Sequence, residues 1–127
     1  MSVAVVDGTS VLAHRFELRT RGHAEELMGM IADVLKEAGV KTADLKALAV
    51  TIGPGTFTGL RVGLAAARGL ALARALPLVG VTTLEAVAAP VTCVANETIA
   101  VVFDARRDEI YLQAFDHTHL PLSEPVI

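Results

Sequence analysis

The sequence predicts an α/β fold. Apolar runs rich in β-branched residues alternate with segments of helical periodicity, and Gly, Pro or a Thr/Asp pair marks each change. The resulting order is hairpin, helix, strand, helix, strand, helix, hairpin. Residues 3–6 form a short apolar run, Asp7-Gly8-Thr9-Ser10 supplies turn chemistry, and residues 11–18 return as a second strand. After Thr20-Arg21-Gly22 the period changes. Ala24, Leu27, Met28, Ile31, Val34, Leu35 and Ala38 recur at helical spacing, and Gly39 stops the helix.

Thr42 and Asp44 offer turn oxygens ahead of residues 45–52, where Leu48, Ala49, Val50 and Ile52 read as a strand buried on both faces. A second helix is expected from Gly59 to about Ala75, capped by Thr56 or Thr58 and stopped by Pro77. Residues 78–81 read as a further buried strand, Thr82 or Thr83 as an N-cap, and residues 84–89 as a short helix halted by Pro90. Residues 92–98 read as a linker. Residues 99–103 and 109–115 form a second hairpin around residues 105–108, and the proline-punctuated tail is expected to be loose. Successive right-handed crossovers in one direction put their helices on one face of the sheet, so the first two helices should lie side by side.

With 127 residues, 53% hydrophobic and 20% charged, the chain is too apolar for disorder and long enough for one core. Arg61, Arg68 and Arg74 interrupt the longest apolar tract, residues 59–81, so no membrane span is expected. The start lacks a basic region followed by an apolar core, and Cys93 has no second cysteine to pair with, which makes the cytoplasm the expected compartment. A net charge of -3 and 4% aromatic residues argue against tight nucleic-acid binding by this chain alone.

The segment from Gly53 to Arg61, GPGTFTGLR, is the most informative. A strand feeding a glycine loop at a helix start presents free N–H groups and suits an anion, although the Gly-Lys-Ser/Thr ending of a phosphate loop is missing. The plainer reading makes Gly53, Pro54, Gly55, Thr56, Thr58, Gly59 and Gly63 a structural loop, with Gly59, Gly63 and Ala67 permitting close approach of a neighbour. No cofactor, catalytic residue or metal site is expected. His14, His23, His117 and His119 lack metal-binding spacing, and no serine sits in a nucleophile motif. Asp116-His117-x-His119 and the charge run from Asp104 to Glu109 read as solvated turns.

Two helices are more apolar than a sheet-facing helix needs. The first has an apolar sector of roughly 200°, against about 100° for a typical face. The second is Gly, Ala, Leu or Val at every position of 59–76 except its three arginines. After mutual packing, an apolar strip is left over: Leu64 and Leu72 flanking Arg61 and Arg68, with Met28 and Ala32 on the neighbouring helix. Arginine and methionine among aliphatics are enriched at interface cores, so these six residues form a candidate partner face.

Arg21-Gly22-His23-Ala24-Glu25, the segment GPGTFTGLRVGLAAARGLALA, Pro77-Leu78-Val79-Gly80-Val81-Thr82-Thr83-Leu84-Glu85, and Phe103-Asp104-Ala105-Arg106-Arg107 with Glu109-Ile110-Tyr111 together resemble the TsaB (YeaZ) family across nearly the whole chain. The resemblance implies a ribonuclease-H-like lobe of the actin/Hsp70 ATPase type, a mixed sheet with two helices on one face, plus the opening hairpin of a second lobe. It places the first lobe at residues 1–97 and the start of the second at 98–127. It also implies a fragment, because the family's first strand and most of its second lobe have no counterpart; an unpaired slot is then expected beside residues 3–6 and 48–52.

The implied function is noncatalytic: a scaffold that binds the TsaD-type transferase subunit in threonylcarbamoyladenosine (t6A) modification of tRNA. A homodimer is expected in isolation, a TsaE-type ATPase is a further candidate partner, and tRNA is met only through the complex. Two other classes compete. An actin-like ATPase or phosphotransferase would use the Gly53 loop with Mg2+-directed carboxylates, and a metallopeptidase would need an open metal site.

Overall fold

The structure, a computed structural model, describes residues 1–18 and 23–127. Its elements run β1 (Ser2–Asp7), β2 (Ser10–Phe16), α1 (His23–Ala38), a 3-10 turn (Thr42–Asp44), β3 (Leu48–Thr51), α2 (Phe57–Arg74), β4 (Leu78–Val81), α3 (Thr83–Ala88), β5 (Ile99–Arg106) and β6 (Glu109–Phe115). The mixed α/β architecture and the element order are those the sequence predicts. Thr20, and Arg21 and Gly22, which open the first motif, lie outside the described residues.

Met1–Val50 with Phe57–Val79 forms one compact unit, and Thr51–Thr56 with Gly80–Ile127 a second. In the first, β1 and β2 pair antiparallel about the two-residue Gly8-Thr9 connection, with Asp7 opposite Ser10 and Gly8 at φ 57°. Glycine supplies that positive φ without steric cost. The hairpin's inner face meets α1. Val5, Met30, Val34 and Leu35 are buried together, and Val3, Ala13, Ile31 and Leu45 pack around them. Arg15 of β2 reaches α1 as well, bonding Asp33 at 2.7 Å and Glu37. The helix ends where Gly39 turns to φ 67° and Val40 N–H donates to the Leu35 carbonyl at 3.0 Å, a Schellman closure. As expected, α1 packs on α2.

α2 closes the same way, but with a different residue. Leu76 N–H donates to the Ala71 carbonyl at 2.9 Å while Ala75, not glycine, takes φ 51°. The stop therefore precedes Pro77, and an L-residue bears the left-handed conformation at some steric cost.

In the second unit, α3 carries its N-cap at Thr82. The Thr82 hydroxyl accepts from Glu85 N–H at 3.0 Å and the Glu85 carboxylate accepts from Thr82 N–H at 2.7 Å, a reciprocal capping box. Leu84 and Ala88 of α3 pack on Ile99, Val101 and Phe115 of the β5–β6 hairpin to form this unit's core. The hairpin turns through Arg107 and Asp108, at φ 57° and 64°.

The strands form three two-stranded ladders, β1–β2, β3–β4 and β5–β6, so residues 3–6 and 48–52 share no ladder. Other expectations need correction. β3 is shorter than expected and its burial alternates, Ala49 and Thr51 being exposed; Val79 of β4 is 52% exposed. An all-apolar strand is buried on both faces only where something covers both. The tail is not loose. Leu112 and Val126 exchange two backbone bonds, Leu122 N–H donates to Ala114, and Gln113 Nε2 donates to the Ser123 carbonyl at 3.0 Å. Pro121 stands opposite Phe115, and neither it nor Pro125 sits where a ladder donor is needed.

Candidate functional site

The glycine loop lies between β3 and α2. Gly53 takes φ 113°, the Gly53–Pro54 peptide is cis, and the Gly53 carbonyl accepts from Thr83 N–H at 2.8 Å. Thr56 and Gly59 each engage a partner within the fold. Pro54 is half-buried, whereas Gly55, Thr56 and Thr58 are exposed. At Gly63 a methyl group would meet Val50 Cγ2 at 3.8 Å, an ordinary contact, so the close approach inferred from small-residue spacing does not require glycine there. The tight place is in β4: a Cβ at Gly80 would stand 2.8 Å from Ile52 Cγ2.

The candidate partner strip can be laid out on α2 at 100° per residue. Phe57, Arg61, Leu64, Arg68 and Leu72 fall within about 80° of one another. Arg61 and Arg68 are exposed and Leu72 is 87% exposed, while Leu64 sits half-buried at the edge of the stripe. On α1, Met28 and Ala32 are also exposed. Among the described residues of α2 only Ala71 is buried. Sequence reasoning overlooked Phe57. It is 69% exposed, and Arg61 lies over its ring with the guanidinium carbon 3.8 Å from the centroid. The i, i+4 spacing of an aromatic and an arginine was the available signal.

Elsewhere the polar clusters serve the fold. Asp116 Oδ1 accepts from Thr118 N–H at 2.8 Å, from Thr118 Oγ1 at 2.6 Å and from Leu120 N–H at 3.0 Å, and these bonds, the Thr118 side chain's first, hold its carboxyl below the usual range. His119 Nε2 contacts the Val91 carbonyl at 2.8 Å. Among the described residues no group of three or more His, Cys, Asp or Glu side chains could hold a metal, and no helix is long and apolar enough to cross a membrane.

Comparison with known proteins gives this arrangement a family. The model described as "TsaD: tRNA N6-adenosine threonylcarbamoyltransferase" matches residues 11–120. The tRNA threonylcarbamoyladenosine biosynthesis protein TsaB of Escherichia coli is 40% identical over 111 residues, 87% of this chain and 48% of TsaB. The chain belongs to the TsaB/YeaZ group of the TsaD family. A tRNA N6-adenosine threonylcarbamoyltransferase of Erythrobacter litoralis is 48% identical, but over 69 residues, which is 54% of this chain and 20% of that protein. The solved structure of YeaZ from Pseudomonas aeruginosa superposes with a TM-score of 0.80 at 29% identity, covering 98% of this chain and 59% of that one. The actin-like fold expected from the TsaB/YeaZ resemblance therefore stands. The chain spans about half the length of the curated TsaB protein it matches.

Proposed function

We propose that this chain serves t6A biosynthesis as a noncatalytic scaffold, binding a TsaD-type transferase subunit through the exposed face of α2. One observation carries the reading. An 18-residue helix in which 13 residues are Gly, Ala, Leu or Val buries only Ala71 among its described residues, and displays Leu72 between arginines. Leaving such a face in water forgoes about 25 cal/mol for each Å² of apolar area that a partner could cover. The printed functions of the relatives, t6A biosynthesis and threonylcarbamoyl transfer to tRNA, supply the partner's class.

In this reading residues 1–97 make the first lobe and residues 98–127 open the second. Met28, Ala32, Arg61, Leu64, Arg68 and Leu72 form the interface, tRNA is reached through the complex in the cytoplasm, the chain forms a homodimer in isolation, and a TsaE-type ATPase is a further partner of the complex. The test is titration calorimetry of the chain against a TsaD-type subunit, with transferase activity assayed for each protein alone and for the mixture. Binding together with activity only in the mixture supports the proposal. Transferase activity in this chain alone contradicts it.

A further inference from the structure

The two edges of the β5–β6 hairpin are finished differently. On β6 the tail supplies the pairing: Leu112 exchanges backbone bonds with Val126, and the Ala114 carbonyl accepts from Leu122 N–H at 2.8 Å. Backbone groups of successive strand residues point to opposite sides, so Tyr111, Gln113 and Phe115 face β5, where their register partners are Phe103, Val101 and Ile99. Ala100 and Val102 therefore turn their N–H and C=O groups to the far side of β5. No third strand lies there, and among the described residues neither of the two has a hydrogen-bond partner on that side. A groove of about 800 Å³ opens on the same side, lined by Val87, Val91, Cys93, Ile99 and Val101 among others and by no residue of β6. Edge strands are ordinarily guarded by a charge, a proline or a bulge. Residues 99–103 contain neither charge nor proline, and the hairpin's bulge lies beyond them, between Asp104 and Arg106.

We infer that the open edge of β5 pairs with the same edge of a second copy of this chain, antiparallel about a two-fold axis at Val101, and that Phe103 of each copy enters the groove of the other. This rests on the homodimer in the proposed reading and gives it a surface, one that shares no residue with the α2 strip. The strand is complementary to itself. With Val101 opposite Val101 of the second copy, Ala100 of each chain stands opposite Val102 of the other, and every open N–H and C=O of these residues is satisfied in two reciprocal pairs. The same register sets Ile99 against Phe103 and Thr98 against Asp104, apolar beside apolar and a hydroxyl beside a carboxylate. An axis at Val102 would instead set Asp104 against Ala100, and an axis at Asp104 would oppose two carboxylates. Ile99 and Val101 pack on Leu84 and Ala88 of α3, and Phe103, two residues on, shares that side of the strand and is 38% exposed. Placed beside Ile99 of the other copy, its ring meets the apolar wall of Val87, Val91 and Cys93.

The test is sedimentation velocity of the 127-residue chain over a hundredfold range of concentration, with a melting curve for each variant at the dilute end. The parent should dimerise with a Kd of about 10–100 μM, as suits a small interface. Val102→Pro removes a donor on the open side alone and leaves the β6 ladder intact, so it should weaken dimerisation about thirtyfold or more with an unchanged dilute melt. Leu72→Asp, on α2, should dimerise as the parent does. Mixing an Ala100→Cys chain with a Val102→Cys chain under mild oxidation should join the two through these cysteines, in preference to either self-pair, because the Val101 register sets them opposite each other. If Val102→Pro fails to fold, the cysteine mixture decides, and absence of the 100–102 link overturns the inference. A dimer that Val102→Pro leaves intact and Leu72→Asp dissolves overturns the inference and keeps the homodimer. A monomer at every concentration overturns both.

Discussion

The two long helices, side by side in one unit, have been treated in opposite ways. α1 has a polar side and a buried side: Leu27, Met30, Val34 and Leu35 are buried, Met30, Val34 and Leu35 of them in the cluster with Val5, and Arg15 clasps its polar face. α2 is about as apolar, yet Ala71 is its only buried residue among those described. Hydrophobicity alone therefore does not mark the core of this molecule. On the proposed reading, the apolar surface that the fold leaves uncovered on α2 is the partner face.

The largest expected effect would break the comparison from the α1 side. Val34 is fully buried, so Val34→Asp should strand a charge in the first core, cost about 4 kcal/mol or more and abolish the cooperative melt by circular dichroism. A folded variant with a near-normal melt would mean that α1 is no better packed than α2.

A smaller effect separates the glycine that is needed from the one that is not. Gly80→Ala must displace Ile52, whose Cγ2 would lie 2.8 Å from the new methyl, and should cost about 1–3 kcal/mol by denaturant titration. Gly63→Ala on α2 has room beside Val50 and should be neutral or stabilising by about 0.5–1 kcal/mol. Equal losses at both sites would restore the close-packing role for the α2 glycines.

The helix ends sharpen the contrast further. α1 turns off through Gly39 and α2 through Ala75, both at positive φ. Ala75→Gly should therefore raise stability by about 1 kcal/mol, and Gly39→Ala should lower it by a similar amount, both read from thermal melts. The same sign for both would show that one of the two ends does not adopt the left-handed turn.

The smallest expected effect belongs to α3, the short helix that relies on its cap. The Glu85 carboxyl is held below its ordinary value first by the bond from Thr82 N–H and then by the Thr82 side chain. A depressed folded pKa contributes stability above the unfolded value and loses it as pH falls through the folded one. Glu85→Gln should thus be less stable than the parent by about 0.5–1 kcal/mol at neutral pH, and the difference should shrink as pH falls below the unfolded carboxyl's value of about 4.3 and vanish only below the depressed folded one. A constant difference across that range would rule the carboxylate out as the source.

What could be read from the sequence follows the same division. α1 was legible because Leu27, Ile31, Val34 and Leu35 repeat at helical spacing and Gly39 closes it. The α3 cap was legible only to within a residue, as Thr82 or Thr83, and the structure places it at Thr82. Strand burial was not: Ile52 and Val79 look like core residues, and whether they are depends on surfaces that lie elsewhere in the chain or outside it. The tail is better ordered than Pro121 and Pro125 suggest, because Leu122 and Val126, each just after a proline, supply the N–H groups that pair with Ala114 and Leu112. The site was half legible. The strip of Arg61, Arg68 and Leu72 could be derived from apolar excess, whereas Phe57 was passed over because the helix was expected to begin at Gly59, and it begins at Phe57.

Leu72→Asp tests the central claim most directly, with affinity for the TsaD-type subunit and the thermal melt measured on the same preparation. Leu72 is 87% exposed, so the charge should remain hydrated in the free chain and leave the melt within about 2 °C of the parent. In the complex the same charge would be buried without a partner, and affinity should fall about a hundredfold. A melt that drops together with affinity would make Leu72 part of the fold, and an unchanged affinity would show that the open face of α2 is not where the partner binds.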